Sequence, residues 1–445
     1  MSRTYDDCAK PTHEFDGRLV IDGRTSPLCG IKLWLPIDCH EDARVQITGA
    51  DPAVYPALSS KGFAAGQSSF YSEIDQRFGF EIEAEDLHIR EISTTPGMRV
   101  NGTSIVIDHI GRLRFKRRLP FPSDSKSDSS EALTKFWFCL SDLRYGRPSS
   151  TPIVDYLGNR KVEISRARTL TMRSSNSIVE MEINTHWKWL PGAFDRIVAG
   201  SYPVLVAQCD GCFTWEQIEE IWQLGRDTCV LLSLAARHLV VPHIMNAVSE
   251  ARLLEEWVYP LHRQRSTTEE AGTGPLIDES DLECYFADVS TQWANLTDSQ
   301  RDALRLAVFS IHPFVRTTSD GNFLQMFSAL EGIARAWFPD LRRLHQKIET
   351  LLTKFPPPVF GLWPISDPNG DGLDAIRNHL AHGHQLVGLK REAVLIGTDH
   401  LQVWIERILL AILGFRYDCA RRDWLSDHVQ NQQDELPRLR AAIKT

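Results

Sequence analysis

The spacing of apolar residues changes near residue 213, and the change separates two kinds of predicted structure. Before it, apolar and polar residues alternate in short runs such as 31–35 and 78–84. Alternation predicts strands, because successive side chains of a strand point to opposite faces of the sheet. After it, apolar residues recur at every third or fourth position, as in 323–337, which predicts helices. We therefore expect an α+β fold, in which a β-rich N-terminal domain is followed by an all-α helical bundle.

The polar, glycine-containing segment that begins near residue 263 marks the predicted domain boundary. The strands before it are short and separated by Gly, Pro and Asp, a pattern typical of a sandwich or a barrel. Three helices are predicted before the boundary: at 215–224, from there to Val241, and at 243–259. The predicted domains are a β-rich region at 1–265 with helices from about 213, a linker at 263–280, a helical domain at 281–425 and a polar tail at 426–445.

Two helices of the C-terminal domain are predicted from their capping residues as well as from apolar spacing. Thr297 and Gln300 have the spacing of a capping box, in which each side chain bonds the backbone amide of the other, for a helix that extends to about Ile311. Thr398 has the residue type of an N-cap and precedes an apolar run, so we expect it to begin the final helix.

The composition limits the functions that the chain can have. With 445 residues and a formal net charge of −9, it has no general basic surface, so any nucleic-acid site must be local. Its longest apolar stretches, 229–242 and 403–415, contain charged residues and fall short of the ~20 residues that span a membrane. The N-terminus lacks the apolar core of a signal peptide. Nine scattered cysteines are typical of reduced thiols, so we predict a cytoplasmic protein without membrane contact.

A heptad in the C-terminal half, 377–383, combines residue types that can cleave RNA without a metal. Arg377 carries a permanent planar cation that can hold a phosphate. His382 carries an imidazole, which can take or give a proton near neutral pH. Cleavage at a 2′-hydroxyl needs a base for its proton and a cation for the charge that develops on the phosphate. Asn378 lies four residues before His382 on one helix face, so its amide could orient the imidazole.

The same residues also allow a purely structural interpretation. In a regular helix, the side chains of Arg377 and His382 point roughly 140° apart. They converge only if the helix ends near Ala381, where Gly383 is a suitable terminator. Cationic side chains favour the C-terminal end of a helix dipole, so Arg and His there can be structural only. On spacing alone the structural interpretation is favoured.

The heptad and its surroundings resemble the signature of HEPN ribonucleases, in which an Arg and a polar residue precede a His. The resemblance is closer to the ApeA-like branch, which occurs in bacterial anti-phage defence proteins. It rests on Arg377, Asn378, Ala381, His382 and Gly383, on a preceding helix with Phe323, Phe327, Leu330 and Glu331, and on the long β-containing region before the helices. It covers about residues 300–425 well and the first 260 residues more loosely.

The resemblance implies a metal-independent endoribonuclease without a cofactor, in which Arg377 and His382 are catalytic and Asn378 positions them. Family members usually pair their motif helices across a homodimer, so acid and base would come from two copies of His382. The 2′-hydroxyl would attack the adjacent phosphate of an RNA, with tRNA as a guess, and leave a 2′,3′-cyclic phosphate. The N-terminal region would sense a phage-derived trigger, or restrain the nuclease, in an abortive anti-phage response.

Two further residues are candidates for supporting roles, and each has a simpler alternative. Glu331 could reach the motif helix and fix Arg377 or a histidine, but a carboxylate at the edge of the core is equally expected. His379 lies three residues before His382 and could assist it, although a plain surface histidine is favoured. For the whole domain, the alternative function is a catalytically inactive HEPN module that serves dimerisation or partner binding.

Three other motifs carry weaker predictions. The basic residues Arg112, Arg114, Lys116, Arg117 and Arg118 could follow an RNA backbone, but the solvated face of an edge strand is favoured. The segment 367–372 resembles the start of a calcium loop, but Asn378 replaces the glutamate required later in it, which favours a turn. Cys209 and Cys212 form a lone C-x-x-C, for which buried thiols at a hairpin are favoured over zinc or redox chemistry.

Overall fold

The structure is a computed structural model of the chain. It describes residues 13–21, 24–25, 29–34, 44–48, 68–72, 80–94, 103–117, 133–140, 143, 150–154, 160–164, 168–173, 178–191, 197–210, 215–249, 252–258, 274–312, 318–358, 361–383, 387–415 and 424–444. Strands dominate the N-terminal part and helices the C-terminal part, so this coarse prediction of the fold class is confirmed. The chain divides into two compact units, one formed by 1–141, 186–222 and 242–264 and the other by 142–185, 223–241 and 265–445.

The described strands pair antiparallel with their neighbours. In chain order they are β1 (His13–Ile21), β2 (Arg24–Thr25), β3 (Cys29–Trp34), β4 (Arg44–Thr48), β5 (Ser68–Ser72), β6 (Phe80–Thr94), β7 (Thr103–Arg117), β8 (Leu133–Leu140), β9 (Ser150–Val154), β10 (Arg160–Ile164), β11 (Arg168–Arg173), β12 (Ile178–Pro191), β13 (Ile197–Asp210), β14 (Pro242–Ser249) and β15 (Arg252–Val258). Strands β9 to β11 and the first part of β12 belong to the second unit, and the others belong to the first.

Six strands of the first unit form a closed ring of pairings in the order β7, β4, β3, β1, β5, β6 and back to β7. The ring closes because β7 is long enough to pair with three neighbours. One edge of β7 pairs with β6 over its whole length, and the other edge is shared by β4 near its start and β15 near its end. Each of the six strands therefore has a partner on both sides, so none presents an open edge.

Burial alternates along β3 and β8, as the sequence predicts for strands. In β3, Ile31 and Leu33 are fully buried, whereas the residue between them is half-buried. In β8, Phe136 and Phe138 are fully buried and meet the ring of Trp222 edge-on, with centroid distances of 5.5 and 5.4 Å. Edge-to-face contacts of this kind add stability beyond the apolar area that they bury. In β3 and β8, one face of the strand thus belongs to the core of the first unit.

The helix predicted at 243–259 is wrong, because this segment forms β14 and β15, which pair with each other. Met245 and Ala247 are buried while Ile244 and Asn246 are half-buried, which is the pattern of a strand. β14 also pairs with β8, so it has a partner on both sides. These long-range pairings decide the conformation against the local helical spacing.

The first described helix, α1 (Trp215–Ala236), is continuous over 22 residues, where the sequence predicted two helices. It ends at Arg237, whose φ of 54° lies in the left-handed region that stops a helix. The Arg237 side chain forms a buried ion pair with Glu406, in which Nη2 lies 2.7 Å from Oε2 and Nε donates to Oε1 at 3.1 Å. Because an unpaired buried charge strongly destabilises a fold, each of these two residues requires the other.

The remaining described helices belong to the second unit. They are α2 (Leu282–Asn295), α3 (Asp298–Ile311), α4 (Ser319–Trp337), α5 (Leu344–Lys354), α6 (Leu373–Ala381), α7 (Leu389–Ile412), α8 (Trp424–Asn431) and α9 (Leu436–Lys444). The predicted capping box of α3 is confirmed: the Thr297 hydroxyl accepts from the Gln300 amide, and the Gln300 side chain accepts from the Thr297 amide. None of the described helices combines the length and the apolar character needed to cross a bilayer.

Two predictions for the C-terminal part are wrong. Thr398 does not cap the final helix but lies inside α7, where its hydroxyl donates to the carbonyl of Val394 at 2.6 Å. Residues 426–445 do not form a polar tail, because α8 and α9 occupy most of this segment. The buried residues of α9 are Leu436, Leu439 and Ile443. Their three- and four-residue spacing gives α9 an apolar face within an otherwise charged segment.

The described elements within 281–425 are all helices, as predicted, but the compact unit that contains them also includes strands from earlier in the chain. Within it, β9 pairs with β10, and β11 pairs with the first part of β12. At the described end of the predicted linker, 263–280, Leu276 and Ile277 are buried. Their amides both donate to the carbonyl of Ala235 near the end of α1. This end of the segment is therefore packed against α1 rather than acting as a free linker.

Candidate active site

Helix α6 carries the predicted motif, and its first turn is anchored by the loop before it. The amides of Leu373 and Asp374 donate to the carbonyls of Pro364 and Ile365, each at 2.9 Å. The hydroxyl of Ser366 donates to Oδ2 of Asp374 at 2.7 Å. These bonds satisfy amides that a helix start would otherwise leave unpaired. These bonds hold the start of α6 in place. Because the helix is only nine residues long, they also constrain the position of its C-terminal end.

A glycine of α7 allows α6 to pack closely. A Cβ atom at Gly397 would lie 2.9 Å from Cδ1 of Ile376, 3.2 Å from Cδ2 of Leu373 and 3.4 Å from Cε2 of Phe323. The first two contacts are tighter than normal packing, so a larger residue would force the Ile376 and Leu373 side chains of α6 to shift. The absence of a side chain at Gly397 thus allows α7 to lie close to α6 and to Phe323 of α4.

The predicted end of the motif helix is confirmed. α6 ends at Ala381, and Gly383 has a φ of 72°, a left-handed conformation that glycine adopts without strain. The amide of His382 still donates to the carbonyl of Asn378 at 3.1 Å, and that of Gly383 to Leu380 at 3.0 Å. His382 is therefore the first residue beyond the helix, and its side chain is exposed.

The Arg377 guanidinium is bound by Glu331 of α4. Its Nε donates to Oε1 of Glu331 at 3.1 Å, and its Nη2 lies 3.0 Å from the same oxygen. The Glu331 side chain is only 7% exposed, whereas that of Arg377 is 34% exposed. The sequence left open whether Glu331 contacts Arg377, contacts a histidine or lies at the edge of the core. In the structure it contacts Arg377. The buried carboxylate thus occupies one edge of the guanidinium, and the rest of the group is accessible to solvent.

Asn378 contacts the arginine beside it. Its Oδ1 accepts a hydrogen bond from Nη1 of Arg377 at 3.2 Å. The sequence predicted an orienting contact with His382 instead, on the basis of their four-residue spacing. The Arg377 guanidinium thus contacts both Glu331 and Asn378.

Arg335 is a third member of this cluster that the sequence analysis missed. It lies one turn after Glu331 on α4, and its Nη2 lies 3.1 Å from Oε2 of Glu331. Its side chain is 61% exposed. The four-residue spacing from Glu331 is a signal for such a pair and could have found it. Together the two arginines bond both oxygens of the Glu331 carboxylate.

His379 contacts the backbone of α9. Its Nε2 lies 3.0 Å from the carbonyl oxygen of Ile443 in α9, and its side chain is half-buried. The sequence allowed a supporting role for His379 because it lies three residues before His382. The contact connects α6 with α9.

The candidate calcium loop is bound by an arginine. Nη2 of Arg440 in α9 lies 2.7 Å from Oδ2 of Asp367 and 2.6 Å from Oδ1 of Asp371. A hydrogen bond from the Asn369 amide lowers the pKa of Asp367, and Arg440 lowers it further. Gly370 has a φ of 72° and donates to the Asp367 carbonyl, so the predicted turn is confirmed. Among the described residues, no three His, Cys, Asp or Glu side chains are grouped as metal ligands.

A buried histidine supports the loop that leads into α6. Nδ1 of His400 in α7 accepts from the backbone amide of Trp363 at 3.0 Å, and both side chains are fully buried. The indole of Trp363 donates to the Asp371 carbonyl at 2.8 Å. Burial lowers the pKa of His400 to about 4, and the charge of His428 contributes. His400 is therefore neutral near neutral pH, as its acceptor role requires.

The basic run on β7 lies opposite acidic residues. In the antiparallel register, Arg112, Arg114 and Lys116 face Glu85, Glu83 and Glu81 of β6. β7 is paired on both sides, so the edge-strand interpretation is wrong. Arg117 is the last residue of β7, whereas Arg118 lies outside the described residues. The register thus pairs each of these three basic residues with a glutamate of the neighbouring strand.

The C-x-x-C prediction is only partly covered by the described residues. Cys209 lies near the end of β13, opposite Thr134 of β8, and Cys212 lies outside the described residues. Residues 203–207 of β13, which precede the motif, are buried. The prediction of buried thiols at a hairpin stays a prediction.

The site is assembled from α4 and α6, with support from α7 and α9. No protein-family model matches the chain, and neither a curated protein nor a solved structure matches it. The interpretation of the site therefore depends on its own geometry. Of the residues predicted from sequence, the structure brings together Arg377, Asn378 and Glu331. It adds Arg335 to them, and His382 follows at the end of the same helix.

We expect the ion pair of Glu331 with Arg377 to stabilise the fold more than its pair with Arg335. A double-mutant cycle of Glu331→Gln and Arg377→Gln should give a coupling free energy of about 1–2 kcal/mol, since both groups are largely covered. The same cycle with Arg335→Gln should give about 0.3–0.5 kcal/mol, as for exposed pairs on helices. Urea unfolding of the single and double variants measures both values. Equal coupling energies would contradict the assignment of Arg377 as the principal partner.

Protonation of His400 should contribute to acid destabilisation. Its pKa is about 4 in the folded state and ~6.5 in the unfolded state, so the unfolded state binds more protons between these values. The contribution is complete above about pH 6.5 and declines as the pH falls towards 4. His400→Asn keeps an acceptor for the Trp363 amide and cannot titrate. Its free energy of unfolding should fall roughly 2 kcal/mol less than that of wild type between about pH 7 and 4.5.

Urea unfolding across this pH range measures the difference, and the exposed His345, replaced by Asn, provides the control. His345→Asn makes the same replacement at an exposed position and so controls for the loss of a histidine as such. Parallel curves for wild type and His400→Asn would show that His400 is not responsible for the acid sensitivity. A large loss of stability for His400→Asn at neutral pH would show instead that the amide does not replace the ring.

Proposed function

We propose that the second unit is a metal-independent endoribonuclease of the HEPN type. Its substrate is RNA, with tRNA as a candidate, and its products end in a 2′,3′-cyclic phosphate. The observation that carries the proposal concerns the short helix α6. Its Arg377 guanidinium is paired with the buried Glu331 carboxylate of α4, and the helix ends at the exposed His382. The setting in anti-phage defence, with an infection-derived trigger, rests on the family resemblance alone.

Arg377 is the phosphate-binding group of the proposed reaction. An arginine has five N–H donors in one plane. Oε1 of Glu331 accepts from Nε and lies 3.0 Å from Nη2 on the same edge, and Asn378 accepts from Nη1. The remaining donors have no partner among the described residues, so they can bond the non-bridging oxygens of a phosphate. Such charge-assisted bonds stabilise the negative charge that grows on the phosphate in the transition state.

His382 carries out proton transfer in the proposed reaction. One imidazole accepts the proton of the 2′-hydroxyl while its oxygen attacks the phosphorus. The bond to the 5′-oxygen breaks, and a second imidazole donates a proton to that leaving oxygen. We assign these two roles to two copies of His382 in a homodimer. Its exposed position beyond the end of α6 is compatible with both an RNA strand and a second copy of the helix.

Cleavage of RNA in the presence of EDTA tests the proposal. Total RNA and tRNA are incubated with the wild type, Arg377→Ala, His382→Ala and the matched exposed histidine variant His345→Ala, with and without lysate of phage-infected bacteria. His382→Ala should lower the rate at least about 100-fold, as expected for loss of general acid–base catalysis. Arg377→Ala should lower it by a similar factor, and His345→Ala should leave it unchanged. Mass spectrometry should detect 2′,3′-cyclic phosphate ends.

Two results would contradict the nuclease. One is cleavage that is equal in the wild type and His382→Ala, which would come from a contaminant or from another site. The other is the absence of cleavage in every condition by wild-type protein that is folded by circular dichroism. Sedimentation of the wild type and His382→Ala then tests the alternative, because a dimerisation module should form the same dimer in both proteins.

A further inference from the structure

The buried Glu331 carboxylate pairs with two guanidinium groups, so the positive charges around it outnumber its own negative charge. Its Oε1 accepts from Arg377, and its Oε2 lies 3.1 Å from Nη2 of Arg335. The three side chains carry one negative charge and two positive charges. The cluster therefore has a net positive charge within a chain whose overall charge is −9. A local excess of positive charge is what a site for an anionic polymer needs in an acidic protein.

The two guanidinium groups are close enough to contact one nucleic-acid strand. Their Nη2 atoms are at most about 8 Å apart, because each contacts an oxygen of the same carboxylate. Within this limit, both groups can reach the backbone of one nucleic-acid strand. Arg335 is 61% exposed, and its Nε and Nη1 have no partner among the described residues. Arg335 can therefore bond an anion from solvent while it keeps its contact with Glu331.

A comparison with Arg438 distinguishes this cluster from an ordinary surface ion pair. Arg438 is 55% exposed and lies 3.2 Å from Glu392 and 3.1 Å from Glu435. There, two carboxylates surround one guanidinium, so the local charge is negative. Around Glu331 the ratio is reversed, and Arg377 alone would neutralise the carboxylate. Arg335 adds a charge that the fold does not require, since exposed pairs of this kind stabilise helices only weakly.

We propose that Arg335 binds the phosphate next to the one held by Arg377, so that the site selects an RNA strand over a single phosphodiester. The inference rests on the proposed function, which defines the phosphate at Arg377 as the one that is cleaved. Arg335 contacts substrate through charge-assisted hydrogen bonds and takes no part in proton transfer. Its contribution is to substrate affinity and to the preference for a polymer.

Cleavage of a short oligoribonucleotide and of a dinucleotide with one phosphodiester tests the inference. On the oligoribonucleotide, Arg335→Ala should raise KM roughly 10- to 100-fold, the loss expected for hydrogen bonds to a charged group, with kcat nearly unchanged. Arg335→Lys should recover part of this loss, because it keeps the charge but not the planar fork. On the dinucleotide, kcat/KM should not change. Arg438→Ala, the matched exposed arginine, should behave as wild type on both substrates.

A binding measurement separates failure of the inference from failure of the proposed function. Fluorescence anisotropy with a 2′-O-methyl oligonucleotide, which cannot be cleaved, reports affinity whether or not the protein is a nuclease. Arg335→Ala should weaken binding by the same factor and reduce the slope of log Kd against log salt by roughly 0.7. If the wild type binds in this way but does not cleave RNA, the proposed function fails and the Arg335 contact stands.

Three results would overturn the inference. The first is equal binding by Arg335→Ala and Arg438→Ala. The second is a loss in kcat/KM for Arg335→Ala that is the same on the dinucleotide as on the oligoribonucleotide, which indicates a structural role through Glu331. The third is the absence of oligonucleotide binding by the wild type.

Discussion

A carboxylate that is almost completely covered destabilises a fold unless its charge is paired, and Glu331 is such a group. The pairing comes mainly from Arg377, which lies 46 residues further along the chain, so the requirement joins α4 to α6. This one interaction determines which edge of the Arg377 guanidinium is occupied and which remains for a ligand. A second bond joins Nη1 of Arg377 to the side chain of Asn378. The chemistry that we propose depends on this arrangement more than on any other contact.

The elements around α6 are arranged so that its position is closely constrained. Gly397 lets α7 approach it, and the loop before it is held by His400 through the Trp363 amide. On the C-terminal side, Arg440 and the Ile443 carbonyl connect α9 with the same loop and with α6. A helix of nine residues would be marginal alone, and these tertiary contacts stabilise it. The end of the helix, with its exposed histidine, is consequently a defined position on the second unit.

Features that depend on neighbouring residues could be predicted from the sequence. The β-rich and helical parts follow from the period of the apolar residues, and the capping box at Thr297 and the termination at Gly383 follow from local backbone chemistry. Features that depend on distant residues could not. Met245 and its neighbours have helical spacing but are strands, because partners far away in the chain pair with them. The polar C-terminal segment is helical because three apolar residues suffice for a buried face. In the site, the residue types were predicted, but the bonding partner of Asn378 was not. That partner is Arg377, which also contacts Glu331, 46 residues away in the chain.

The most direct test is a crystal structure of the protein with a dinucleotide whose 2′-hydroxyl is replaced by hydrogen, so that it binds without being cleaved. We expect a non-bridging phosphate oxygen within hydrogen-bond distance of the Arg377 guanidinium, with the bond from Arg377 to Glu331 retained. We also expect the 2′ carbon to face the imidazole of His382 from either copy of the chain. A phosphate bound away from Arg377, or an Arg377 that leaves Glu331 to reach it, would contradict the role assigned to the buried carboxylate.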